Sequence, residues 1–238
     1  MSKIKLLCLP YAGGSAQVFL DWKRDLHADI ELIPVELPGR GKRFGEPLRS
    51  DFNELVEDIY QSIKNEINSG PYFFFGHSMG SLIVFEVMRR LKVENQPMPM
   101  CCIFSGKNPP HVSLRNHIHE LDDEEFLAKI FGYGGIPAEM LTNKELASIF
   151  LPIIRSDFQA IELYEPPAER EQMDCPFIVF YGTEDSYVST DLVKEWSLYT
   201  TGGCEWYAYN GGHFFIQEQR EQVIKQLNSI LDGIKTRL

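Results

Sequence analysis

The stretch Gly76-His77-Ser78-Met79-Gly80 constrains this chain more than any other. It sets a serine between two glycines, directly after the apolar run Tyr72-Phe73-Phe74-Phe75 and before the helix-like segment that begins at Ser81-Leu82-Ile83-Val84. Strand, sharp turn and helix in that order make a nucleophile elbow. The glycines leave room for a strained turn, and the turn lifts the serine hydroxyl above the sheet at a helix N-terminus. A fold built around this feature needs a sheet for the elbow to rise from and helices to cover it.

The rest of the chain supplies both. Short, almost continuous apolar runs at 4–9, 31–35, 72–75, 100–105, 177–181 and 205–209 read as strands covered on both faces. Amphipathic segments at 16–26, 52–68, 81–91, 191–200 and 215–231 read as helices between them. This alternation predicts an α/β chain with a mostly parallel, doubly wound sheet, and 238 residues suffice for one such domain. One interval breaks the alternation. Residues from about 107 to 170 carry helical patterns at 122–131 and 143–164, punctuated by Gly132, Gly134-Gly135 and Pro166-Pro167, and read as an inserted helical lid. Its apolar residues, among them Phe126, Ile130, Phe131, Tyr133, Ile136, Met140 and Phe150, either line a channel over the site or form the lid's own core.

Charge and cysteine content narrow the function classes. A formal net charge of -11 repels nucleic acid phosphates and anionic membranes, so neither is an expected partner. Five cysteines, an odd number without metal-ligand spacing and mostly in apolar runs, read as reduced core thiols of a cytoplasmic protein. The chain passes into its first strand within a few residues, with no signal-like apolar segment and no membrane-length run. A short sheet is expected at that edge.

A serine nucleophile needs a base, and the base an orienting acid, in the chain order Ser, Asp or Glu, His. The acid is read at Asp185, on the turn after the 177–181 strand; Glu184 is its neighbour, and periodicity does not separate the two. The base is read at His213, in a glycine-rich turn between the last strand and the last helix. The remaining histidines sit on a polar helix end (His27), inside the elbow (His77) or in the lid (His111, His117, His119). His117-Ile118-His119 lacks a third ligand at useful spacing, so no metal is expected. The oxyanion donors are read as the backbone N–H of Met79 and one from the loop Tyr11-Ala12-Gly13-Gly14, with Ala12 favoured and Tyr11 the alternative. That loop lacks a phosphate-binding glycine motif, and no cofactor is expected. A purely binding role for the fold is disfavoured by the intact order Ser78, Asp185, His213.

Taken together, Pro10-Tyr11-Ala12-Gly13-Gly14, Leu37-Pro38-Gly39-Arg40-Gly41, Gly76-His77-Ser78-Met79-Gly80, Gly134-Gly135-Ile136-Pro137, the stretch Leu151 to Phe158 and Gly211-Gly212-His213 resemble the type II thioesterases of nonribosomal peptide and polyketide synthesis. Ser81 departs from the glycine or alanine common in that family. The resemblance implies a lidded α/β-hydrolase fold, a triad of Ser78, Asp185 and His213 with oxyanion donors Met79 and Ala12, and hydrolysis of aberrant or stalled acyl groups from the phosphopantetheine arm of acyl-carrier or peptidyl-carrier domains. A monomer is expected, though nothing in the sequence fixes the oligomeric state. The alternative is a free-standing serine esterase or acyl-CoA thioesterase. Arg40, Lys42, Arg43 and Lys107 are expected to meet a phosphate or an acidic helix of the partner.

Overall fold

Among the described residues six strands run parallel in one sheet, in the order β2-β1-β3-β4-β5-β6. They are β1 (Ile4–Leu9), β2 (Ile30–Pro34), β3 (Tyr72–His77), β4 (Cys102–Ser105), β5 (Phe177–Gly182) and β6 (Cys204–Tyr209). The computed structural model describes residues 3–112, 116–136 and 138–235; Pro137 of the motif above lies outside them. The sequence pattern placed every strand within two residues of its observed ends.

Alternation along each strand divides the core in two. Leu7, Leu9, Phe74, Phe104 and Val179 face one side, where they pack with α1 (Phe52–Ile67) and α2 (Met79–Val93). Leu6, Cys8, Phe73, Phe75, Ile103 and Phe180 face the other and pack with the C-terminal helix. Both faces are covered, so each strand reads as a continuous apolar run. Helix α1 buries Phe52, Leu55, Val56, Ile59, Tyr60, Ile63 and Ile67, one stripe at helical spacing, and Asp51 caps it by accepting from the Glu54 N–H at 3.0 Å.

Three helix expectations are corrected. Segments Ala16–Arg24 and Leu192–Tyr199 are 3-10 rather than α-helical, and the C-terminal helix is two pieces, α5 (Phe215–Glu218) and α6 (Arg220–Lys235), separated at Gln219. The inserted segment carries α3 (Asp123–Tyr133) and α4 (Lys144–Glu162), so it is helical as expected. Its apolar residues divide between the two readings. Phe126, Ile130 and Met140 are buried in a small core of the insert, with Ile118, Leu151 and Ile154. Phe131 and Phe150 are exposed. Ile130, Tyr133 and Ile136 line a cavity that also contains Ser78.

The strand order reverses at β1, which has β2 on one side and β3 on the other. In open α/β sheets the crevice at such a switch point, beyond the carboxyl ends of the strands, holds the ligand. Here the loops after β1 and β3 meet there, and these are the loops carrying Ala12 and Ser78. No helix among the described residues is long and apolar enough to cross a membrane.

Candidate active site

Ser78 has φ 54 and ψ −115, a left-handed conformation that a non-glycine residue adopts only when its surroundings enforce it. The enforcement comes from the two flanking glycines. A Cβ on Gly76 would lie 2.4 Å from the Gly80 carbonyl oxygen, and one on Gly80 would lie 2.2 Å from the Leu9 carbonyl oxygen. Helix α2 can therefore start directly against β1 only with hydrogen at both positions. Ser81 locks the turn from beneath: its buried hydroxyl lies 2.7 Å from the Gly76 carbonyl and accepts from the Ser105 N–H at 3.1 Å. A glycine or alanine there would forgo this tie between β3 and β4.

The three triad positions form one hydrogen-bonded row. His213 Nε2 lies 2.9 Å from Ser78 Oγ, and His213 Nδ1 lies 2.7 Å from Asp185 Oδ2. The other Asp185 oxygen accepts from the Tyr187 N–H at 2.9 Å, which fixes the carboxylate plane. A carboxylate only accepts, so Nδ1 carries the proton and Nε2 is left to receive one from the serine. Glu184 is exposed on the same turn and takes no part in the row, which separates the two acids that the sequence left open.

Around the oxyanion position the N–H groups are accounted for one by one. In the loop after β1, Gly14 N–H donates to the Tyr11 carbonyl (2.9 Å) and Gly13 N–H to Asp157 Oδ2 (2.7 Å). Among the described residues the Ala12 N–H has no acceptor, and the Met79 N–H, first in α2, is one of the helix's orphan donors. Tyr11 is held by its hydroxyl, which accepts from Gln217 Nε2 at 2.8 Å.

Asp157 and Arg40 are contributions the sequence reading missed. Arg40 was expected on a partner-facing rim; it is instead 5 % exposed and gives Asp157 two parallel hydrogen bonds, Nη1 to Oδ2 (2.5 Å) and Nη2 to Oδ1 (2.7 Å). It also donates to the Gly14 carbonyl at 3.2 Å. Asp157 thus joins the lid helix α4, the loop after β2 and the loop after β1, while Ile154, one turn earlier, closes over Gly13. Its position was visible as a charge on the apolar stripe Ile153, Ile154, Ala160 and Ile161. A charge buried there has to be paired. Arg43 is likewise engaged, by Asp58 and Glu46, leaving Lys42 as the exposed cation of that loop. In the lid, His119 bonds Glu162 through Nδ1 at 2.5 Å, and no cluster of three potential metal ligands occurs among the described residues.

His77 is wholly buried behind the site. Its Nε2 lies 3.0 Å from the His213 carbonyl and its Nδ1 2.9 Å from Ser105 Oγ, so Nε2 donates to the carbonyl and Nδ1 accepts from the hydroxyl. It holds the backbone of His213 in place. Burial, reinforced by the neighbouring His213, pushes its pKa well below the ordinary histidine value of about 6.5. The unfolded chain then binds a proton that the folded chain refuses. Stability is full above about pH 6.5 and falls as pH drops through that value toward the folded pKa, with a slope approaching about 1.4 kcal/mol per pH unit from this group. Urea unfolding measured from pH 8 to pH 5 is expected to show that slope, and His77→Gln to flatten it. An identical pH dependence in the variant would contradict the assignment.

Ser78, His213, Tyr11 and Ala12 open onto a cavity of about 100 Å³, walled mainly by Ile130, Tyr133, Ile136, Ile154 and Phe158 from the lid. Gly135, with φ +78, brings the lid backbone against Phe214: a Cβ there would lie 2.1 Å from the ring. The lid therefore touches the loops of both the base and the oxyanion donors.

Known proteins resemble this chain over nearly its whole length. The thioesterase domain family matches residues 4–231. Thioesterase PikA5 of Streptomyces venezuelae is 34% identical over 232 residues, covering 97% of this chain and 82% of that protein. The crystal structure of ClbQ from the colibactin NRPS/PKS pathway superposes with a TM-score of 0.94 at 34% identity, over 100% of both chains. YbtT, a type II thioesterase from the yersiniabactin NRPS/PKS pathway, superposes with a TM-score of 0.85 at 26% identity, over 98% of this chain and 94% of that one.

Proposed function

The chain belongs to the thioesterase domain family and is a thioester hydrolase of the α/β-hydrolase fold, and we propose that it clears aberrant or stalled acyl groups from the phosphopantetheine arm of acyl-carrier or peptidyl-carrier domains. The observation that carries this reading is the row Ser78–His213–Asp185, opening onto a small apolar cavity roofed by the lid.

The geometry supports an acyl-enzyme mechanism. His213 Nε2 takes the Ser78 proton as Oγ attacks the thioester carbonyl, and Asp185 holds the resulting imidazolium. The N–H groups of Met79 and Ala12 stabilise the developing oxyanion. Collapse breaks the carbon–sulfur bond, and the imidazolium protonates the departing thiol of the arm. Water, deprotonated by His213, then hydrolyses the ester on Ser78 by the reverse sequence. Every step draws on groups of the chain and on water; the phosphopantetheine belongs to the substrate.

The small cavity suits short acyl chains, and the relatives from NRPS/PKS pathways point to carrier-bound substrates. The free cysteines, four of them buried, fit a reducing compartment such as the cytoplasm. One observation favours the alternative, an enzyme of small-molecule thioesters such as acyl-CoA. The basic loop is largely consumed internally, by Arg40 with Asp157 and Arg43 with Asp58, so it offers less to an acidic carrier than its composition suggests. The same acyl group on a carrier domain and on coenzyme A, at matched ionic strength, distinguishes them. We expect kcat/KM at least about tenfold higher on the carrier, because contacts remote from the thioester contribute to transition-state binding. A preference for the coenzyme A thioester would establish the alternative.

A further inference from the structure

The cavity beside Ser78 holds a cation that the hydrolytic mechanism does not use. Lys107 follows β4 and Gly106, its carbonyl fixed by the Trp196 indole N–H at 2.9 Å. The residue is 6 % exposed and lines the same cavity as Ser78 and His213. Its ammonium has no hydrogen bond or ion pair with any described residue.

The carboxylates in the cavity wall and behind it, Glu162 and Asp185, are committed. Glu162 accepts from the N–H groups of Ile118 and His119 and from the His119 ring, and Asp185 is held by His213 and the Tyr187 N–H. Elsewhere in the molecule the buried arginine and carboxylates are paired, as Arg40 is with Asp157 and Glu86 with Tyr164 and Arg89. A buried charge without a partner is costly, and burial pulls the Lys107 pKa down to about 8 against the opposing field of Asp185. At neutral pH it is still mainly an ammonium. What is missing is an acceptor for the ammonium: the wall is mostly isoleucine and aromatic side chains, and its amide and carboxylate members, Asn108, Asn116 and the engaged Glu162, make no hydrogen bond to it.

From this, and resting on the thioesterase reading above, we infer that Lys107 forms an anion subsite within the acyl pocket, selecting short acyl groups that end in a carboxylate. A carboxyacyl chain attached through its thioester at Ser78 supplies the missing acceptor from inside the cavity. The other source of an anion is the phosphate of the pantetheine arm. That phosphate sits at the far end of the arm from the thioester, at the carrier surface, whereas Lys107 shares its enclosure with the reacting serine and feels the charge of the triad acid.

The test compares succinyl and butyryl thioesters of N-acetylcysteamine, which have the same chain length and carry no phosphate, on the wild-type enzyme and on Lys107→Met. Wild type is expected to favour succinyl over butyryl in kcat/KM by about tenfold or more, the scale of one charge-assisted hydrogen bond. Lys107→Met is expected to erase that ratio, and Lys107→Arg to keep part of it. The wild-type ratio alone decides the matter if the methionine variant fails to fold: a ratio at or below one overturns the subsite. Equal losses on both thioesters in Lys107→Met would make the lysine structural and also overturn it. The coenzyme A thioesters of the same two acyl groups are measured alongside: a Lys107→Met loss confined to them, with the succinyl-to-butyryl ratio on N-acetylcysteamine intact, would likewise overturn the subsite and assign the cation to the arm. Failure of the wild type to cleave either thioester overturns the thioesterase reading itself, a result distinct from normal butyryl cleavage without a succinyl preference.

Discussion

Ser78→Ala and His213→Ala are each expected to lose on the order of 10⁴-fold or more in kcat, and the double variant little beyond either one. The reason is the single row of hydrogen bonds from Ser78 Oγ to His213 Nε2, at 2.9 Å, and on to Asp185. Without the hydroxyl there is nothing for the imidazole to deprotonate; without the imidazole, the hydroxyl keeps its proton at neutral pH. Alanine relaxes no packing of consequence at Ser78, whose strained φ of 54 it must still adopt, so circular dichroism serves as the control for folding. Losses that multiply in the double variant would mean the two side chains act independently.

Asp185→Asn is expected to cost about 10⁴-fold, while Glu184→Gln stays within a few-fold of wild type. In the Asn variant an amide replaces the carboxylate 2.7 Å from His213 Nδ1. Its NH₂ can satisfy a ring nitrogen that accepts, which moves the ring proton to Nε2. That tautomer points a donor at Ser78 and cannot take its proton. Glu184 faces solvent and contributes its backbone N–H to the Gly211 carbonyl, a bond that Gln retains. Steady-state kinetics on one thioester substrate compares the pair, and a larger defect in Glu184→Gln would reverse the assignment.

What the sequence displays about this molecule is what depends on local pattern. Both faces of the sheet are covered, so β3 reads as an unbroken apolar run, and the elbow follows it because Gly76 and Gly80 have no space for a side chain. His213 and the acidic pair Glu184-Asp185 are legible because each follows a strand end. The choice between the two acids turns on which side of the turn each side chain takes, and that is decided by the Tyr187 N–H and the burial of Asp185. The basic loop misleads for a related reason. Arg40 looks like surface until Asp157, 117 residues later, is brought against it by α4. Pairing of that span has no local periodicity to announce it. Lys107 reads as a charge after a strand, and its enclosure exists only once the lid is folded over β4. Segments Ala16–Arg24 and Leu192–Tyr199 bury side chains every third residue, Phe19 with Trp22 and Val193 with Trp196 and Tyr199, the period of the tighter turn; over so short a run that spacing also fits an α-helix.

The most direct measurement is the intact mass of a carrier domain bearing a short acyl group on its phosphopantetheine arm, followed over time with wild-type enzyme and with Ser78→Ala. The account predicts that wild type converts the acylated carrier to the free-thiol form, with the mass of the acyl group lost and the arm retained, while Ser78→Ala leaves the carrier acylated. An acylated carrier that persists in the presence of wild-type enzyme, under conditions where the same acyl group is released from coenzyme A, would contradict it.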